Sequence, residues 1–234
     1  MRERVLAWGV HLYTATGLVV AAAMAVLIIR GGDEAFRGAM LLMILATVID
    51  STDGVLARRF EVKRWTPEFD GRRLDDITDF HTYTSLPLLF IWRADLLPEN
   101  WNWVLLAPLI ASAYGFSQTD AKTKDGFFLG FPSYWNAIAI YLYLLHPPAT
   151  ITIAGLLICA FLTFVPTRYL YPNYGGGPFS RSTSIFAVLW SLLLFFILAG
   201  ICRQSYWIWL SLAFPIYYLG VSWWITLIRP AGAD

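Results

Sequence analysis

Residues 48–59 read VIDSTDGVLARR and close an apolar run that begins near Ala35. A helix from Ala35 to Asp50 covers about 22 Å at 1.5 Å per residue, so Asp50 sits a few ångströms inside a hydrocarbon boundary. An Asp at the centre of a membrane helix costs about 3 kcal/mol, less near the interface. Asp53 follows one turn later, and a second acidic pair, Asp75 and Asp79, opens the next apolar segment in GRRLDDITDF. Acidic groups placed this way call for a cationic partner.

The surroundings set the class. The 234 residues are 58% hydrophobic and only 14% charged, whereas soluble domains carry about 25% charged residues. Net charge is +1, which argues against a nucleic-acid partner. Eight apolar segments stand out, near 5–29, 35–58, 74–93, 101–118, 132–146, 149–167, 182–202 and 205–228. Most reach the roughly 20 residues a crossing helix needs, and HPP at 146–148 reads as a tight turn. The expectation is an all-α, polytopic bundle of about eight membrane helices, as one domain over 1–234. A count of six, with other segments in the interface, is the alternative.

The N-terminal MRER, followed by a long apolar stretch and AAAMA, has the outline of a signal peptide. Its apolar run is too long for that role, so it is read as the first membrane helix. The two cysteines, Cys159 and Cys202, form no disulfide framework. With both termini in the cytoplasm, only Arg30, Arg37, Arg93 and Arg203 of the 17 Lys and Arg fall on the far side. That asymmetry follows the positive-inside rule and puts both acidic pairs at the cytoplasmic ends of helices two and three.

Asp50 and Asp53 are spaced i,i+3 and Asp75 and Asp79 i,i+4, so each pair shares a helix face. If the two helices pack side by side, four carboxylates converge. Hard oxygen donors without His or Cys favour Mg²⁺ or Mn²⁺, and a shared carboxylate cluster can hold two such ions. Gly54 and Ala57 leave room on the first face, and Gly71 precedes Asp75 by one turn. Arg58 is suited to phosphate oxygens. Asp76, Glu61, Glu68 and Asp70 read as solvated charges beside neighbouring Arg and Lys. A cation pathway across the membrane is the rival reading, but it would need polar residues at every depth. The outer halves AMLLMILATV and SLPLLFIW are apolar.

Written out, the pattern is Asp50-x2-Asp53-Gly54-x2-Ala57-Arg58-x12-Gly71-x3-Asp75-x3-Asp79. It resembles the signature of the CDP-alcohol phosphotransferase family. Its twelve-residue gap after Arg58 departs from the usual eight and is similar to the bacterial phosphatidylcholine synthase branch. VHLYTATG, FDGRRLDDITDFHTY and TKDGFFLGFPSYWN extend the likeness over residues 10 to about 180. The resemblance implies a six-helix family core with extra helices, in the bacterial inner membrane, acting on CDP-diacylglycerol and choline. It implies metal binding by Asp50, Asp53 and Asp75, with Asp79 as the base and a contributor to the second ion. Gly54, Ala57, Arg58 and Gly71 would contact the CDP moiety. Relatives form homodimers, and siblings use serine, inositol or glycerol phosphate as acceptor.

A quaternary ammonium is commonly held by aromatic faces. Tyr83, one turn from Asp79, is a candidate, as are Tyr114, Tyr134 and Trp135 near helix ends on the same side. Trp92, Trp101, Trp103, Trp207 and Trp209 read instead as an outer interfacial belt, with Trp223 and Trp224 as the inner one. His11 and Thr14 face either the nucleotide or a local hydrogen bond. Lys122 and Lys124 are candidates for a lipid phosphate or for anionic headgroups at the membrane surface.

Overall fold

The computed structural model describes residues 1–119, 127–170 and 180–228. It opens with two long helices, α1 (Arg2–Arg30) and α2 (Asp33–Arg59). Gly31 and Gly32 join them, both with positive φ, a conformation that glycine adopts without a Cβ penalty. A short turn of helix, α3 (Val62–Trp65), leads to α4 (Gly71–Asp79). The Asp70 carboxylate caps α4 by accepting from the backbone N–H groups of Arg72 and Arg73. Asp70 thus has a structural duty that the reading of a solvated charge did not assign.

The helical run continues through a π-helical turn, Phe80–Ser85, into α5 (Leu86–Arg93). Pro87 supplies the reason. In a regular helix its ring would clash with the carbonyl of Tyr83, four residues back, and it has no N–H to offer. The widened turn accommodates it, and the Leu86 N–H bonds the His81 carbonyl five residues earlier. Such wide turns occur often at functional sites.

A 3₁₀ turn (Glu99–Leu105) then enters α6 (Leu106–Ser117), followed by α7 (Trp135–Leu145), α8 (Ala149–Leu162), α9 (Ser180–Leu198), α10 (Ser205–Ser211) and α11 (Ala213–Ile228). Each of the eight apolar segments is helical. Among the described residues, four runs are long and apolar enough to cross a membrane unaided: Arg2–Arg30, Asp33–Arg59, Arg181–Leu198 and Ser205–Ile228. Trp135–Leu145 and Ala149–Leu162 are shorter apolar helices. The protein is a helical, multi-pass membrane protein. Its core runs through Met24, Met40, Met43, Phe90, Val104, Trp135 and Leu194, all inaccessible to solvent, while Trp92, Trp103, Trp209 and Trp224 are half or more exposed.

One feature departs from the all-helical expectation. Strands β1 (Phe127–Leu129) and β2 (Arg168–Leu170) pair antiparallel, Phe127 opposite Leu170. The open edge of β2 is covered by hydroxyls of α11. The Arg168 N–H donates to Thr226 Oγ1 at 2.8 Å, the Leu170 N–H to Ser222 Oγ at 3.2 Å, and Tyr218 donates to the Leu170 carbonyl at 2.9 Å. Residues 218, 222 and 226 are spaced one turn apart on a single face. Backbone groups near a membrane need internal partners, and α11 provides them.

Candidate metal centre

The site is assembled by close packing of α1 against α2 and α4. Buried residues of α1 fall at 7, 10, 11, 14, 17, 21, 24 and 28; apart from His11 they follow the alternating three-and-four spacing of a tightly packed helix seam. Two contacts along this seam are very close. A Cβ on Gly17 would lie 2.5 Å from Thr78 Cγ2, and one on Gly71 would lie 2.7 Å from His11 Cε1. Glycine at 17 and at 71 therefore lets α4 reach α1, which swings Asp75 and Asp79 toward α2.

Asp50, Asp75 and Asp79 each bring one carboxylate oxygen within 4.8 Å of the others. Asp53 is buried beside them. It lines the same small cavity, of about 10 Å³, together with Thr14, Gly17, Thr78 and the three other aspartates. Its Oδ2 accepts a hydrogen bond from Thr14 Oγ1 at 2.9 Å. Of the four acidic residues expected to converge, the structure thus brings three to one point and gives the fourth a hydroxyl partner on the adjoining wall. The Tyr83 hydroxyl donates to Asp50 Oδ2 at 2.7 Å and so orients that carboxylate. All four side chains offer hard oxygen donors, a set that fits a divalent ion such as Mg²⁺ or Mn²⁺.

Asp50 and Asp79 also line a second, much larger cavity of about 1490 Å³. Its charged lining comprises Asp50, Arg72, Asp76 and Asp79, with Thr47, Ser51, Thr52 and Gln118 among its polar groups. Most of the remaining lining is apolar and includes Leu42, Ile138, Ala187 and Phe195 of α2, α7 and α9. Trp190 donates to Tyr141, and Tyr141 to Ser211, both at 2.9 Å, tying α9, α7 and α10 together along the cavity wall.

The other expected site residues are distributed as follows. Gly54 faces open space, with only Arg58 Nη1 near its missing Cβ, at 3.5 Å. Ala57 packs partly buried against a small apolar cluster of Ala7, Val10 and Val62. Gly71 is occupied by its contact with His11. The His11 Nε2 shares a hydrogen bond with Thr66 Oγ1 at 2.9 Å, and its ring lies 5.5 Å from Trp8 and 4.5 Å from Phe69. Tyr83 and Tyr134 line the large cavity. Tyr114 does not, and its ring lies 4.8 Å from Phe164. Trp135 does not either. It is fully buried, with its indole N–H donated to Ser112 at 2.7 Å. Lys122 and Lys124 lie outside the described residues.

Outside the membrane, the loop before α4 is tied to the start of α1 by an ion pair between Arg4 and Glu68. The Glu68 carboxyl is held below the usual carboxylate range, first by a hydrogen bond from its own backbone N–H and then by Arg4. Three contributors escaped the sequence reading: Gly17, Thr78 and Tyr218. Gly17 carried a faint signal, a small residue one turn beyond Thr14. Tyr218 carried none, because its role depends on where α11 docks.

No family model matches the chain. Among curated proteins it is similar to the phosphatidylcholine synthase of Borreliella burgdorferi, 36% identical over 170 residues that cover 72% of this chain and 71% of that protein. The phosphatidylcholine synthase of Pseudomonas aeruginosa is 36% identical over 167 residues, covering 71% of this chain and 69% of that protein. That of Rhizobium johnstonii is 29% identical over 208 residues, covering 82% and 85%.

Proposed function

The chain belongs to the phosphatidylcholine synthases, a branch of the CDP-alcohol phosphotransferase family, and from that membership we propose its reaction. It transfers the phosphatidyl group of CDP-diacylglycerol to choline, giving phosphatidylcholine and CMP. One observation carries the reading: three carboxylates converge within 4.8 Å, and two of them, Asp50 and Asp79, line an apolar cavity of about 1490 Å³. A phospholipid substrate needs both features in one place, a cationic centre for its diphosphate and an oily channel for its chains.

Asp50, Asp53, Asp75 and Asp79 would hold Mn²⁺ or Mg²⁺, two ions in all. A divalent ion bound there neutralises the diphosphate and the departing CMP. Arg58 lies one turn from Gly54 and reaches the phosphate oxygens, while Gly54, Ala57 and Gly71 flank the CDP moiety. Asp79 takes the proton of the choline hydroxyl. The oxygen then attacks the phosphatidyl phosphorus, the phosphorus–oxygen bond to CMP breaks, and CMP leaves with that electron pair. Tyr83 keeps Asp50 oriented throughout by its hydrogen bond. Lys122 and Lys124 attract the lipid phosphate. The chain crosses a bacterial inner membrane eight times as a homodimer, with the site facing the cytoplasm. The charge asymmetry of its loops supports that orientation.

The test uses purified protein with CDP-diacylglycerol, Mn²⁺ or Mg²⁺, and one acceptor at a time, with CMP release measured. Release that depends on choline and on the metal is expected. Release with serine, inositol or glycerol phosphate in place of choline would overturn the acceptor, and release without a divalent ion would overturn the metal centre.

A further inference from the structure

The large cavity adds Tyr218 to two of the tyrosines that the sequence singled out. Tyr83, Tyr134 and Tyr218 all line it, as do Asp50 and Asp79. The Tyr83 and Tyr134 rings lie 6.3 Å apart at 47°, and the Tyr134 and Tyr218 rings 5.8 Å apart at 63°. Rings at this separation and tilt are adjoining walls of a box rather than a stacked column. A ring quadrupole attracts a cation lodged within about 6 Å of its centroid, and Tyr134 adjoins both of the other rings.

The rings are also held in place. Tyr83 is tied by its hydroxyl to Asp50, and Tyr218 by its hydroxyl to the Leu170 carbonyl. Tyr169 lies nearly parallel to Tyr218, 26° from it at 6.3 Å. Both tethered rings are more than nine-tenths buried, so a bound cation meets π faces with little competing water. A trimethylammonium has no N–H to satisfy, whereas an ammonium bearing protons would lose hydration that ring faces do not replace. Tyr83 sits one turn along the same helical run from Asp79, which matches an acceptor whose hydroxyl and ammonium are two carbons apart.

We propose that Tyr83, Tyr134 and Tyr218 form the aromatic box that binds the acceptor's quaternary ammonium, with α11 completing it through Tyr218. The proposal rests on the reading of the acceptor as choline. It makes the C-terminal helix a determinant of acceptor specificity.

Choline and its uncharged isostere 3,3-dimethyl-1-butanol are compared as acceptors by CMP release from CDP-diacylglycerol. The readout is the ratio of their kcat/KM values within one preparation, which cancels any difference in the folded fraction. Wild-type protein is expected to favour choline at least tenfold. Tyr134→Leu and Tyr218→Leu each lower that ratio by about tenfold, while Tyr134→Phe and Tyr218→Phe keep it within about twofold. Equal use of the two alcohols by the wild type overturns the box without recourse to any variant. So do Leu variants that keep the wild-type ratio, or Phe variants that lose it as fully as Leu. No CMP release with choline in the wild type would instead sink the choline reading beneath it.

Discussion

Gly17→Ala is a one-carbon change about as small as a protein allows, and it should disable the metal centre. The added Cβ would lie 2.5 Å from Thr78 Cγ2, against the roughly 3.5–4.0 Å at which two carbons rest. About 1–1.5 Å of separation must therefore be found at the contact between α1 and α4. Thr78 stands between Asp75 and Asp79 in sequence, so the shift is passed directly to both carboxylates. Overpacking of this kind costs about 1–3 kcal/mol. Misplacing a reacting group by about 1 Å costs on the order of 100-fold in rate. The structure also supplies the remedy. Once Cγ2 is removed, the next atom from the new Cβ is Thr78 Cβ at 3.9 Å, ordinary contact, and a serine hydroxyl can keep the bond that Thr78 makes to the Leu74 carbonyl. Choline-dependent CMP release should fall about 100-fold in Gly17→Ala, stay near wild type in Thr78→Ser, and return to within about fivefold in the double variant. Mn²⁺ titration of activity should move in parallel. A fully active Gly17→Ala, or a double variant as impaired as the single one, would refute the packing argument.

The other expectations concern the site's individual groups. Asp79→Asn should abolish turnover and weaken, without abolishing, Mn²⁺ binding measured by titration calorimetry, since Asp50, Asp53 and Asp75 remain; near-normal activity would remove Asp79 from the role of base. Tyr83→Phe keeps the ring but deletes the bond to Asp50, and should weaken metal binding about tenfold, the usual effect of losing a partner that orients a ligand. An unchanged Mn²⁺ midpoint would show that Asp50 needs no such support. Ala187→Trp narrows the apolar cavity far from the carboxylates, and should raise the KM for CDP-diacylglycerol with that for choline unchanged. A rise confined to choline would place the lipid elsewhere.

Much of this site was legible along the chain because its strongest signals are local. Pairs spaced i,i+3 and i,i+4 share a helix face whatever the helix packs against, so the two acidic pairs could be read directly. Pro87 was not singled out, although its ring conflicts with a carbonyl at a known offset and could have announced the widened turn. Local spacing says nothing, however, about partners 30 or 130 residues away. Trp135 and Tyr134 are neighbours at the start of one helix, yet the first is locked in the core by Ser112 and the second lines the cavity. Their difference lies in what α6 and α11 place beside them.

By itself, then, the sequence determined the membrane class, the hard-oxygen chemistry of the centre and the helices that carry it. Composition, periodicity and the order of acidic residues are properties of the chain before it packs. Tertiary structure decided which carboxylates meet. Thr14 of α1 partners Asp53, while Asp50, Asp75 and Asp79 close on one point, because two glycine contacts bring α4 against α1. It also decided that the last helix lines the large cavity. The hydroxyls of α11 are drawn to the open edge of β2, and that docking is what carries the ring of Tyr218 to the cavity wall.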